Sequence, residues 1–173
     1  GTAWSMSEKK EIEIGREMHR EILAKMPVYD NAAVSAYVAR IGQQLARDSD
    51  RPELEYTFTV LDSPDINAFA TPGGFIYVNR GLLAYLQSEA ELAAVLAHEI
   101  GHVTERHASR QDLMAKGSSV ASLALGVIAA IGTGSGAVGG VTQDAVSSAG
   151  TAMVRGYGRD MELEADREGA KFM

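Results

Sequence analysis

Apolar residues at three- and four-residue steps predict a helix at the start of the chain. Ser5 and Glu8 form an S-x-x-E capping box ahead of it, and the helix is expected over residues 7–26, ending at Pro27. Its apolar face is formed by Ile14, Met18 and Ile22. It carries no evident chemistry and is expected to be a core element.

Three further helices are predicted in the first two thirds of the chain. The second is capped by Asp30 or Asn31 and continues to about position 48. A short third helix over residues 80–86 leads into a fourth, which begins at a capping box of Ser88 and Glu91. The apolar stripe of this fourth helix is formed by Leu92, Val95, Leu96, Ile100 and Val103.

Between these helices the period changes to two, which predicts strands. The first strand covers residues 55–61, and two more over 66–70 and 75–79 are joined by Thr-Pro-Gly-Gly. Pro-Gly suits a type II turn, in which Gly73 takes the positive φ. The expected fold class is therefore α+β, a mostly helical domain with a small, mostly antiparallel sheet.

The last third of the chain divides into two parts. Residues 117–143 carry no charge and are rich in glycine, alanine and serine. We interpret residues 117–150 as a flap near the active site, with a core helix plus linker or a membrane-surface contact as alternatives. Residues 155–173 are charged again, and within them Glu162 and Asp166 share one face of a predicted last helix.

Composition narrows the possible partners and metal ligands. The 173 residues suit a single domain, and the net charge of −7 argues against nucleic acid as a partner. There is no cysteine, so a metal ion would have to be held by histidine and carboxylate. No signal peptide or transmembrane segment is recognised, and we expect an excised catalytic domain whose natural chain continues past Met173.

The fourth helix carries His-Glu-Ile-Gly-His at positions 98–102, an H-E-x-x-H motif. His98 and His102 are one turn apart on the same face, where both imidazoles can bind one zinc ion. Glu99 is rotated by about 100° from His98, so it can face a water molecule without being a ligand. The alternative, two packed histidines beside a solvated glutamate, is disfavoured because the chain has only four histidines.

A catalytic zinc site needs a third protein ligand. His107 comes one position too early for the H-E-x-x-H-x-x-G-x-x-H arrangement, and Glu105 stands where that pattern has glycine. The remaining candidates are Glu162 and Glu164 on the predicted last helix.

Three ordered motifs resemble one family. They are HEIGHVTERH at 98–107, NAFATPGG at 67–74 and ELEADR at 162–167. Together they resemble the zinc metallopeptidases of the HtpX, CAAX prenyl protease and BepA/Oma type, in particular the soluble BepA-like branch. The likeness covers most of the chain, from about position 11 to the end.

The resemblance implies a role for several residues. It implies a zincin-like domain of the gluzincin kind, in which Glu162 is the third zinc ligand beside His98 and His102. Asp166 then supports a zinc-binding histidine from the second coordination shell, and Glu99 is the catalytic base. A strand edge beside the zinc helix is implied to pair with extended substrate, and the matching segment is Ala68-Phe69-Ala70.

These expectations together describe a zinc endopeptidase with one Zn²⁺ ion. Its implied substrates are extended, unfolded or misfolded polypeptides, and its implied place is the bacterial cell envelope, in the periplasm. A zinc-stabilised chaperone or binding module without turnover is the alternative, and Glu99 argues against it because a structural site needs no base.

Overall fold

The computed structural model describes residues 7–105 and 155–156. The helices are α1 (Glu8–Lys25), α2 (Ala32–Arg47), α3 (Arg80–Tyr85) and α4 (Glu89–Thr104). The strands are β1 (Thr57–Leu61), β2 (Asn67–Thr71), β3 (Phe75–Asn79) and β4 (Arg155–Gly156). The helices and strands predicted between positions 7 and 104 are confirmed. The predicted flap and the predicted last helix lie outside the described residues.

Side-chain caps begin the three longer helices. Asn31 caps α2 and Ser88 caps α4, as predicted, each by accepting a hydrogen bond from the amide three residues later. In α1 the cap is Ser7, which accepts from the amide of Lys10 at 3.2 Å. The prediction of Ser5 as the cap was wrong. The capping hydroxyl belongs to Ser7, two residues later, because the helix begins at Glu8.

The sheet is small and mixed: two of its three strand pairings are antiparallel, as the expectation of a mostly antiparallel sheet requires, and one is parallel. Its order is β1-β3-β2-β4. The Pro-Gly turn makes β2 and β3 an antiparallel hairpin, with Gly73 at φ 86° as predicted. β1 pairs with the far strand of that hairpin and is parallel to it, while β2 lies between β3 and β4.

Helices cover both faces of the sheet, so β2 and β3 are buried along their whole length. On one face, apolar residues of α2 and α4 pack on Ala68, Ala70, Ile76 and Val78. On the other, Ile22 of α1 packs with Phe69 and Tyr77. No helix among the described residues is long and apolar enough to cross a membrane.

His19 of α1 packs against the aromatic side chains of β3. Its Nδ1 lies 2.7 Å from the hydroxyl of Tyr77, and its ring contacts Phe75 at 4.9 Å between centroids. Burial lowers the pKa of His19 below the ordinary value of 6.5 and raises the pKa of Tyr77. The neutral imidazole is therefore the form that the fold favours.

This pKa shift predicts a pH-dependent stability. Because the pKa of His19 is lower in the folded state, the stability it contributes is fully present above pH 6.5. It is lost as the pH falls from 6.5 through the lower pKa of the folded protein. Urea unfolding of wild type and His19→Gln between pH 8 and pH 5 tests this. The wild type's advantage should shrink as the pH falls, and an advantage that grows with acidity would contradict the assignment.

Candidate metal centre

The orientation of α4 is determined by its cap and its apolar stripe. Ser88 Oγ accepts from the amide of Glu91, and the Glu91 carboxylate accepts from the amide of Gln87 at 2.7 Å. These contacts satisfy one amide of the first turn and the amide just ahead of the N-cap, which fixes where the helix begins. The predicted stripe is buried, namely Leu92, Val95, Leu96, Ile100 and Val103. The rotation of the helix about its axis, and therefore the direction of His98 and His102, follows from that burial.

The two histidines of α4 converge. The Nε2 atoms of His98 and His102 are 3.1 Å apart, and the rings meet edge to face with centroids 4.6 Å apart. Two nitrogens bound to one tetrahedral zinc at 2.0–2.1 Å would be separated by about 3.3 Å. The histidine pair therefore fits a single metal ion with only a small adjustment of either ring.

Glu99 is buried completely, whereas His98 and His102, at the two ends of the motif, are partly exposed. A carboxylate enclosed by protein is costly unless its surroundings compensate for the lost hydration. A core helix that keeps a glutamate beside two converging imidazoles departs from ordinary apolar packing. Such departures are typical of functional sites.

A third ligand is not provided by the part of the chain described here. Among residues 7–105 and 155–156 no group of three His, Cys, Asp or Glu could hold a metal ion. The predicted ligand Glu162 and its supporting Asp166 lie outside the described residues. So do the competing candidates, Glu164 and His107.

Strand β2 packs against α4 through one face of the sheet, and its predicted substrate edge is partly occupied by β4. Asn67 lies opposite Gly156 and Ala68 opposite Arg155, both antiparallel. The expectation of an unpaired edge is therefore wrong at Ala68. Beyond Ala68, at Phe69 and Ala70, no described strand pairs on that side of β2.

The motif, the helix that carries it and the hairpin beside it are matched together by one family model. Residues 32–173 match the model described as peptidase family M48. The chain belongs to peptidase family M48. This confirms the resemblance to zinc metallopeptidases of the BepA/Oma type, and M48 membership implies a metal cofactor.

Relatives of this M48 chain include bacterial and mitochondrial peptidases. A Vibrio cholerae protein described as a beta-barrel assembly-enhancing protease is 31% identical over 166 residues, 92% of this chain and 33% of that protein. The beta-barrel assembly-enhancing protease of Escherichia coli K12 is 30% identical over 61% of this chain and 22% of the Escherichia coli protein. The mitochondrial metalloendopeptidase OMA1 of Schizosaccharomyces pombe is 30% identical over 57% of this chain and 30% of the OMA1 chain. The chain thus spans a third or less of these relatives, and the names support a metalloendopeptidase.

One contact at the end of α4 was missed by the sequence analysis. Arg51, in the loop after α2, donates to the carbonyl of Val103, the residue after His102. Arg51 also pairs with the buried Glu11 of α1. The burial of Glu11 could have been predicted from the sequence, since Glu11 stands three residues before Ile14 on the apolar face of α1.

Proposed function

We propose that the chain is a zinc-dependent endopeptidase, organised as one catalytic domain. His98 and His102 would hold one Zn²⁺ ion, with Glu162 as the third protein ligand. The observation that supports this most directly is the 3.1 Å separation of the two Nε2 atoms on α4. Membership of a metallopeptidase family supports it independently.

The residues of the chain have separate roles in this proposal. When bound, zinc polarises the scissile carbonyl and lowers the pKa of a water molecule. Glu99 accepts the proton of the attacking water and later delivers it to the leaving amine. Asp166 accepts a hydrogen bond from the free ring nitrogen of a ligand histidine, which sets its tautomer and orientation.

Backbone pairing with strand β2 would bind the substrate. The edge at Phe69 and Ala70 continues past the two residue pairs that β4 occupies. A strand edge binds an extended peptide through main-chain hydrogen bonds, which depend little on sequence. Unfolded or misfolded polypeptides are the substrates that such an edge suits. The names of the bacterial relatives support a place in the cell envelope, and within it we propose the periplasm.

A matched pair of peptides tests this function. Zinc-loaded protein should cleave an extended, unstructured peptide, and a chelator should stop cleavage until zinc is restored. The same peptide with N-methylated amides flanking the scissile bond should be cleaved about 10-fold more slowly, since one or two hydrogen bonds to the edge are lost. The cleavage rates of both peptides are measured by chromatography. Equal rates would reject edge pairing, and bound zinc without cleavage would favour a binding module.

A further inference from the structure

A buried ion pair joins helix α1 to the loop after α2. Arg51 and Glu11 are 7% and 3% exposed. The guanidinium donates through Nη1 to Oε1 of Glu11 at 2.9 Å and through Nη2 to Oε2 at 3.1 Å. This is the bidentate geometry that orients both side chains as well as attracting them. A second, more exposed acid, Glu8, accepts from Nη2 at 3.3 Å.

The same guanidinium reaches the last turn of α4. Arg51 Nη1 donates to the carbonyl oxygen of Val103 at 3.2 Å. The final carbonyls of a helix lack the amides that continue the ladder, and they carry the negative end of its dipole. A cation is the favoured partner there. Because Val103 follows His102 directly, this bond holds the turn on which the second imidazole stands.

The carboxylate of Glu11 reaches the hairpin. Its Oε1 accepts from the amide of Gly73 at 3.4 Å, in the turn that joins β2 to β3. Helix α1 approaches this turn so closely that a Cβ on Gly15 would lie 2.0 Å from the carbonyl oxygen of Pro72. One ion pair therefore contacts both the last turn of α4 and the turn that follows β2.

We propose that the Arg51–Glu11 pair positions the metal site. It sets the last turn of α4, and with it the imidazole of His102, relative to strand β2. Glu11 precedes residues 32–173, so the positioning contact comes from a helix outside the part matched to the M48 family model. The inference rests on the proposed zinc site, and it assigns a role to two residues that bind neither metal nor substrate.

An apolar double variant separates positioning from stability. Replacing a buried ion pair with apolar residues of similar size often leaves a protein as stable as before, whereas removing one partner is strongly destabilising. Glu11→Leu with Arg51→Met keeps the packing and removes the bond to the Val103 carbonyl. The matched control is Lys10→Met with Glu13→Leu, which removes an exposed ion pair of 3.3 Å from the same helix.

Zinc affinity and thermal unfolding are measured for the whole chain, by competition with a chelator and by calorimetry. The buried double variant should bind zinc about 10-fold more weakly than wild type, as losses of supporting contacts do. Its midpoint of unfolding without zinc should stay near that of wild type, and the control pair should change neither quantity. Wild-type affinity in the buried double variant overturns the inference while leaving the proposed function intact. Absence of zinc binding in the wild type would overturn the proposed function and the inference with it.

Arg51→Lys provides the second test, and it decides the matter if the double variant does not fold. Lysine keeps the charge but lacks the planar fork, so it cannot bond Glu11 twice and Val103 as well. Zinc affinity should fall, and the amide of Glu105, which bonds to the Gly101 carbonyl at 3.0 Å, should exchange its hydrogen faster. Unchanged affinity together with unchanged exchange would overturn the positioning role.

Discussion

Glu99→Gln is expected to keep its zinc and to lose peptide cleavage by at least about 100-fold, the lower range for removal of a general base. The amide preserves the size of the side chain, so the buried site of Glu99 remains filled. It cannot accept the proton of the attacking water. Zinc binding is therefore expected to persist in this variant while peptide cleavage is lost.

Metal content and casein degradation, measured on the same preparation, test this expectation. Glu89→Gln is the control, because Glu89 lies exposed at the start of the same helix and accepts a hydrogen bond from Tyr37 that an amide oxygen can also accept. The control should retain both zinc and activity. Substantial cleavage by Glu99→Gln would remove Glu99 from the role of base.

Glu162→Ala is expected to lower zinc affinity by orders of magnitude and to abolish activity. Two imidazoles alone leave a catalytic zinc one protein ligand short. On a helix Glu162 and Asp166 lie on one face, while Glu164 is about 200° away from Glu162. Asp166→Ala should therefore weaken zinc binding about 10–100-fold.

Zinc stoichiometry after dialysis against a weak chelator compares the candidates for the third ligand. Glu164→Ala and His107→Ala serve as the matched controls, and both should retain bound zinc. Retention of zinc by Glu162→Ala, with loss from either control, would reject the assignment of the third ligand. The correspondence of the last helix with the family motif would be rejected with it.

Local features of the described residues were predictable from the sequence because their causes are local. The caps at Asn31 and Ser88 bond amides three residues away, so the side chain and its target lie in one short stretch. The convergence of His98 and His102 follows from the pitch of a single helix. The positive φ of Gly73 follows from a four-residue turn.

The strand order required the tertiary structure. Period-two patterns identified three strands, but the choice of β3 rather than β2 as the partner of β1 depends on packing between distant segments. The expected free edge at Ala68 failed for the same reason, since Arg155 lies almost ninety positions away in the chain. The alternation within a strand identifies its buried face, but it does not specify which distant strand pairs with it.

The metal-binding motif, the helix that carries it and the family were all recognisable in the sequence, because these depend on spacing within short segments. The meeting of Glu11 and Arg51 in the interior, by contrast, depends on the folded chain, because the two residues are forty positions apart. A charge in the apolar stripe of α1 requires a buried partner, yet nothing near it in the chain specifies which cation that is. Arg51 suits this buried position because its guanidinium can bond Glu11 and the carbonyl end of α4 at the same time.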